Sequence, residues 1–340
     1  MKIKRLVIEN FKSIERIELI EPNPFTVFVG PNGSGKSNIF EALEFVNILA
    51  KYDNNPFDAV RLFGGIQSII NQKTRAYSFN FSLEFNNTPP NTISVYLEYS
   101  DHEQSIRKKK TGELTPEEEK RFGELPKHLS FYQQFYKSFS RLFIKNNTLQ
   151  KFNYQDNKSL SLSADNLEKV LKRIFDDETL KEEIDDWLSL FIPGFEAITI
   201  HSDTISGNDS LLLKDKHIDK PFNKSLISDG TYNIIALLTA IYQSDEPQFL
   251  CIEEPENGLN PKVVRELVNL CRYACEEKGH FIWLNTHSQT LVSKLEPKEL
   301  ILVDKKKGST QVKQFTGERF YGLRMDEAWL TNALGGGLPW

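Results

Sequence analysis

Apolar and polar residues alternate over Ile3–Phe11 and again over Ser13–Ile20, and a short apolar run, Phe25–Val29, stops at Gly30. Period-two alternation marks half-buried strands, so the chain opens with three of them. The spacing then changes. Ile39, Phe40, Leu43, Val46 and Ile48 fall at helical intervals and predict a helix from Ser37 through Ala50. Tyr77–Phe85 alternates strictly and predicts a strand, with Thr92–Tyr99 as its neighbour.

From Asp101 to Phe191 the composition turns charged, beginning with Arg107-Lys108-Lys109-Lys110. Thr115 and Pro116 mark a helix start, Tyr132–Phe143 is rich in aromatics, and Asn166–Leu190 has helical spacing. No sustained heptad or internal repeat occurs, which excludes a long coiled coil. Regular order resumes near Phe195. Tyr232–Tyr242 reads as an apolar helix and Gln248–Ile252 as a buried strand. Asn260 caps a helix that starts at Pro261 and ends at Gly279. His280–Leu284 is a further strand, and Leu300–Phe315 a hairpin turning at Lys307-Gly308. The end, Gly317–Trp340, fits no pattern and is read as a docking peptide or a loose end. Four segments follow: an N-terminal lobe (1–100), an inserted arm (101–195), a C-terminal lobe (196–316) and a tail (317–340).

Composition adds mainly exclusions. The chain has 340 residues, 39% hydrophobic and 26% charged, with a net charge of -5. That balance is ordinary for a globular protein and does not advertise a global nucleic-acid binder, although a basic patch on one face is compatible with it. The longest apolar run, Ile234–Ile241, is far short of the roughly 20 residues that cross a bilayer. The N-terminus lacks the apolar core of a secretory signal. Cys251, Cys271 and Cys275 supply no disulfide framework and no metal-ligand spacing. A reduced, cytoplasmic protein with no membrane partner is expected.

The chemistry concentrates in a few stretches. Gly30-Pro31-Asn32-Gly33-Ser34-Gly35-Lys36-Ser37 has the P-loop spacing between a strand and a helix. Glycines let successive backbone N–H groups curl around phosphates, and the helix N-terminus favours the anion. In this spacing Lys36 serves the β- and γ-phosphates and the Ser37 hydroxyl serves magnesium. A P-loop alone does not choose among kinases, GTPases and motor ATPases. Glu253 and Glu254 close a buried strand, where the first carboxylate can hold a magnesium shell and the second can orient and deprotonate water. His287 follows another buried strand, where it can meet a γ-phosphate or the attacking water. Ser225–Thr231 precedes an apolar helix and reads either as a second anion site used across a dimer or as a plain N-capped turn.

In this order the pieces resemble the ABC-type ATPase heads of the SMC, RecF and OLD group, over Met1–Phe85 and Ile198–Phe315. The resemblance implies an α/β fold, a P-loop NTPase of ABC-ATPase type. Its expected parts are a mixed central sheet, an N-terminal antiparallel β-subdomain and an inserted, mainly helical arm. Glu9–Ile14 looks like the group's N-terminal strand, whose basic residue lies near the base, and so implicates Lys12 and Ser13. Gly30–Asn38 looks like Walker A, with Gly30, Asn32, Gly33, Ser34, Gly35, Lys36, Ser37 and Asn38 on ATP. Ser228-Asp229-Gly230-Thr231 resembles the signature that caps the partner's γ-phosphate through Ser228 and Gly230. Glu253-Glu254 looks like Walker B with the catalytic glutamate second, Asn257–Asn260 stands at the D-loop, and His287 stands at the switch position. The signature departs from Ser-Gly-Gly-Gln, and Glu253 replaces the more usual Asp. Gln67, Gln72, Gln133 and Gln134 all remain candidates for the glutamine of the magnesium shell.

The cofactors implied are ATP and Mg2+, and the partner implied is a second copy of the chain. Residues 288–340 contain Asp304 and Asp326 but no Asp-x-Asp pair, so no two-metal nuclease site is expected there. By analogy with such bare heads, the expectation is a nucleotide-dependent sensor or clamp that controls a separate effector, such as a nuclease, in antiphage defence. Two alternatives stand beside it. One is a RecF- or SMC-like DNA-binding repair ATPase that uses Arg107–Lys110 and Lys305–Lys307. The other is a non-hydrolysing scaffold locked by ATP.

Overall fold

The computed structural model describes residues 2–51, 56–74, 77–86, 91–100, 105–111, 135–144, 157–203, 207–317, 320 and 322–337. The helix start at Thr115, both Gln133 and Gln134, and the final Leu338-Pro339-Trp340 lie outside them. Strands β1 (Ile3–Phe11) and β2 (Ile14–Ile20) pair antiparallel, and β3 (Phe25–Val29) is buried throughout. The helix Lys36–Lys51 follows, then two short helices, Pro56–Leu62 and Ile66–Ile69. Next come β4 (Ser78–Phe85), β5 (Asn91–Ser100) and β6 (Ser105–Thr111).

After β7 (Phe139–Leu142) come the helices Leu167–Ile174 and Glu178–Phe191. Three strands follow, β8 (Phe195–Ser202), β9 (Asp209–Asp215) and β10 (Phe222–Asn223). The helix Asp229–Tyr242 leads to β11 (Phe249–Glu253), and the helix Pro261–Glu277 to β12 (Phe281–Thr286). A short helix, Gln289–Val292, precedes β13 (Leu300–Lys306) and β14 (Ser309–Gln314), and the helix Met325–Leu330 comes last. The chain forms two compact units, Met1–Phe139 with Phe281–Trp340, and Ser140–His280.

In the first unit, β2-β1-β4-β5-β6 form an antiparallel sheet. Strict alternation buries Phe79, Phe81, Leu83 and Phe85 on one side of β4. Phe45 from the helix Lys36–Lys51 packs between them and β1, with ring centroids 5.9 Å from Phe11 and 5.5 Å from Phe79. Pairs of this kind contribute about 0.5–1.5 kcal/mol each beyond the area they bury. They fix the helix that begins at Lys36. A second sheet runs β14-β13-β3-β12, with β3 parallel to both β12 and β13. Buried apolar runs, as in β3 and β12, are what strands covered on both faces require. The α/β fold with a mixed sheet and an antiparallel subdomain is the one the sequence implied.

Residues of the stretch 101–195 include β6 and β7 as well as two helices. β6 extends the N-terminal sheet beyond residue 100, and its basic run hides it from an apolar-pattern reading. Charged residues are what a sheet edge uses to discourage further pairing. The helical stretch 166–190 is two helices, because Asp177 caps the second by accepting from Thr179 N (2.9 Å) and Leu180 N (3.2 Å). In the second unit β10-β9-β8 form a small sheet that the sequence reading did not resolve. Of the tail, the described residues from the helix Met325–Leu330 to Gly337 are docked. Trp329 is buried and its Nε1 donates to the Gly337 carbonyl at 2.6 Å, while Lys313 Nζ donates to the Leu334 carbonyl at 2.8 Å.

Candidate nucleotide-binding site

The loop 30–35 is glycine-bound for a steric reason. A Cβ on Gly30 would lie 1.9 Å from the Val303 carbonyl oxygen on β13. At Gly35, φ is +101° and a Cβ would lie 2.1 Å from Thr310 Oγ1. The Lys36 side chain is buried, and its ammonium donates to the carbonyls of Gly30 (2.9 Å) and Pro31 (3.1 Å). Ser34 is also buried, and among the described residues its hydroxyl oxygen has no hydrogen-bond partner. A buried orphan hydroxyl beside a cationic, glycine-lined turn at a helix N-terminus is the donor set that a phosphate group satisfies.

A relay of side chains holds this loop from behind. Asn38 Nδ2 donates to Ser13 Oγ at 2.6 Å, and Ser13 Oγ lies 2.6 Å from Thr310 Oγ1. Thr310 Oγ1 donates to the Ser34 carbonyl at 2.8 Å, and Thr310 N donates to the Ser13 carbonyl at 2.8 Å. Since the Thr310 hydroxyl proton goes to Ser34, the Ser13 hydroxyl donates to Thr310. Ser13 and Asn38, expected on the nucleotide, are here supports of the loop. Lys12, expected near the base, has φ +48° and pairs with Glu41 of the following helix. Its backbone N–H donates to the Ile69 carbonyl at 2.7 Å.

The candidate switch segment around His287 is placed by strand register. Val29 is opposite Thr286 in the parallel pair β3–β12, so Gly30 and His287 leave neighbouring strands at the same end. That is where ligands sit on open α/β sheets. Asn285 Nδ2 reaches Ser37 Oγ at 3.4 Å, and His287 is half-buried. Ser288 caps the short helix after it. Gln67 and Gln72 are both exposed, with Gln72 Nε2 donating to the Gln67 carbonyl at 2.6 Å.

The second unit gathers the remaining motifs. Ser228 caps the helix Asp229–Tyr242, its Oγ accepting from Thr231 N at 3.2 Å. Gly230 lies against the 254–260 turn, where a Cβ would come 2.2 Å from the Gly258 carbonyl oxygen. Asn233 Nδ2 donates to the Asn257 carbonyl at 2.6 Å. Asn260 accepts from Lys262 N (3.0 Å) and Val263 N (3.1 Å), so its side chain is a helix cap. Signature and D-loop candidates thus form one packed element, and Gly230 is demanded by the turn beneath it.

Glu253 ends β11 buried, and Arg141 Nε donates to its Oε1 at 2.6 Å. Glu254 follows with φ +46°, a left-handed conformation unusual for its residue type. Asn257 Nδ2 donates to Glu254 Oε2 at 2.9 Å. Backbone strain of this kind clusters where a side chain must be aimed. The hydroxyl of Ser37 and the carboxylate of Glu253 are hard oxygen donors of the kind magnesium takes. Thr310 and Arg141 were missed by the sequence reading: neither stands in a motif, and both meet their partners only through the fold. Asn257 and Asn285 stand in stretches that the sequence singled out, but their bonds to Glu254 and Ser37 were not foreseen.

The family described as "AAA domain, putative AbiEii toxin, Type IV TA system" matches residues 25–293. Over 44 residues the chain is 50% identical to the chromosome partition protein Smc of Methanocaldococcus jannaschii, a match taking in 13% of this chain and 4% of that protein. The chain therefore spans a small fraction of that relative's length. Over 335 residues it is 22% identical to an ATP/GTP phosphatase of Helicobacter pylori, covering 86% of this chain and 87% of that protein. A solved Smc head bound to the C-winged helix domain of ScpA superposes with a TM-score of 0.64 at 17% identity, over 96% of this chain and all of that one. At that identity the likeness establishes the fold.

Proposed function

The chain belongs to this family of AAA domains and is a P-loop ATPase head of the SMC/RecF type, and from that premise we propose that it hydrolyses ATP between two copies of itself. The observation that carries the reading is the loop 30–35, with Lys36 buried over its carbonyls and the Ser34 hydroxyl left without a partner. Phosphate oxygens would replace the carbonyl partners of Lys36 and satisfy Ser34. Ser37 and Glu253 would hold magnesium, which when bound neutralises charge on the phosphates and aligns them. Glu254, aimed by its backbone and by Asn257, would orient and deprotonate the attacking water, with His287 beside the γ-phosphate. Ser228 and Gly230 would present a helix N-terminus to the nucleotide of the other copy, with Asn260 on the adjoining D-loop. The long match to an ATP/GTP phosphatase supports turnover.

Closing on ATP and opening after hydrolysis would make the head a switch read by a separate effector, such as a nuclease, in antiphage defence. That solved Smc head carries a bound protein domain, which supports a head of this fold serving as a docking platform. Purified Glu254→Gln, weighed by light scattering with and without ATP and magnesium, tests the dimer. A nucleotide-dependent doubling of mass is expected, and a monomer under both conditions removes the reading. Wild-type phosphate release separates a hydrolase from an ATP-locked scaffold.

A DNA-binding head is the second reading. It is favoured by the position of four consecutive basic residues, Arg107–Lys110, on the edge strand β6. Phosphate contacts make affinity fall steeply with salt, so duplex binding that weakens linearly on a log–log salt plot supports it. No binding at low salt removes it.

A further inference from the structure

Arg141 and Glu253 form the most deeply buried ion pair among the described residues, with both side chains 2% exposed. The guanidinium engages one carboxylate oxygen with both Nε and a terminal nitrogen. Burying two charges in this way carries a large desolvation cost for each ion, and apolar residues of similar volume often do as well for stability. Arg141 cannot shed its proton to escape that cost. A pair kept under those terms, on the acid that closes β11, is placed for control of that acid.

We propose that Arg141 is the positioning residue of Glu253: its guanidinium supplies the positive charge that a divalent cation would otherwise bring, and it fixes the carboxylate in place. The inference rests on the reading of Glu253 as a magnesium ligand. Its consequence is competition. A divalent cation reaches Glu253 only by sharing or displacing the guanidinium, and two cations on one buried carboxylate repel each other. Metal is thereby kept off Glu253 until nucleotide phosphates bring further negative charge. β7, which carries Arg141, becomes the strand whose position sets metal affinity.

The test is thermal unfolding of the full chain without nucleotide, in magnesium chloride against sodium chloride of equal ionic strength. Wild type is expected to show no magnesium-specific shift. Arg141→Met, which leaves Glu253 without this counter-charge, should unfold at lower temperature and be raised by roughly 3–6 °C at saturating magnesium. Arg141→Met combined with Glu253→Gln should lose the magnesium response. An equal response in wild type and Arg141→Met overturns the proposal, as does a response that survives in the double variant. Should Arg141→Met fail to fold, Arg141→Lys carries the same test. A lysine holds the carboxylate through fewer bonds and yields more readily, so magnesium must shift it more than wild type. The underlying reading is checked separately by nucleotide affinity in magnesium against chelator. A double variant that keeps the wild-type preference for magnesium removes Glu253 as a ligand. A lost preference with no magnesium shift in Arg141→Met removes only the role of Arg141.

Discussion

Ser13 and Thr310, 297 positions apart, are joined twice: their hydroxyl oxygens lie 2.6 Å apart, and the Thr310 N–H donates to the Ser13 carbonyl at 2.8 Å. The turn between β1 and β2 is thus fastened to β14, and both grip the phosphate loop through Asn38 and Ser34. Chains of hydrogen bonds polarise one another, so removing a middle member costs more than one bond.

Ser13→Ala should therefore weaken ATP binding without touching any phosphate contact. The loss leaves Asn38 and Thr310 each short of a partner, a cost of about 1–3 kcal/mol. If half of that falls on the loop's nucleotide-ready form, affinity drops by about three- to tenfold. Titration with a fluorescent ATP analogue measures it. Thr310→Val should match the effect, and the double variant should fall well short of the sum. Additive losses would show that the two hydroxyls act independently.

Glu254 is the second test of geometry against chemistry. Its left-handed backbone costs about 1 kcal/mol in a non-glycine residue. Glu254→Gly should raise the unfolding midpoint by about 2–4 °C while phosphate release falls about 10²–10⁴-fold. Glu254→Gln should lose turnover to a similar degree without the rise in stability. A glycine variant less stable than the glutamine variant would mean that the bond from Asn257 to the carboxylate outweighs the strain.

Much of this was legible beforehand, and what was not has physical causes. Gly30–Ser37, the Asn260 cap and the hairpin turn at Lys307-Gly308 were legible because their residue types are forced locally. Lys307 and Gly308 have φ of +50° and +85°, the pairing a tight hairpin needs. β6 was hidden because charge on an edge strand looks like a solvated loop. Arg141 was hidden because a buried arginine is defined by its partner, which stands 112 positions away. The tail was unreadable because Gly335–Gly337 pack by lacking side chains: a Cβ on Gly337 would lie 2.4 Å from Leu302 Cδ1.

Gly230→Ala tests whether the signature and the D-loop candidate move as one element. The added Cβ would fall 2.2 Å from the Gly258 carbonyl oxygen, and backbone cannot step aside cheaply. The helix start and the 254–260 turn must separate, at a cost of about 1–3 kcal/mol. A fall of about 2–10 °C in the unfolding midpoint is expected, together with loss of ATP-dependent mass doubling in a Glu254→Gln background. An alanine variant of wild-type stability would show that the turn can relax away from the helix.

His280 sets an acid limit on stability in the second unit. It is almost wholly buried, its Nδ1 accepting from Gln248 N at 3.2 Å and its Nε2 bonding the Ile241 carbonyl at 3.0 Å. Burial pushes its pKa below the usual imidazole value, the Ile241 carbonyl opposes that, and nearby Lys278 adds to it. Above about pH 6.5 the ring is neutral in folded and unfolded chains alike and contributes no pH dependence. As pH falls below that value the unfolded chain takes up a proton that the folded chain refuses. Stability then drops by at most about 1.4 kcal/mol per pH unit, until the folded-state pKa is passed. His280→Gln can keep one donor and one acceptor in place without titrating. Urea midpoints of the two proteins, measured from pH 7.5 down to about pH 5, should run parallel above about pH 6.5 and diverge below it, with wild type falling faster. Parallel curves throughout would mean that the ring takes its proton inside the fold as readily as outside it.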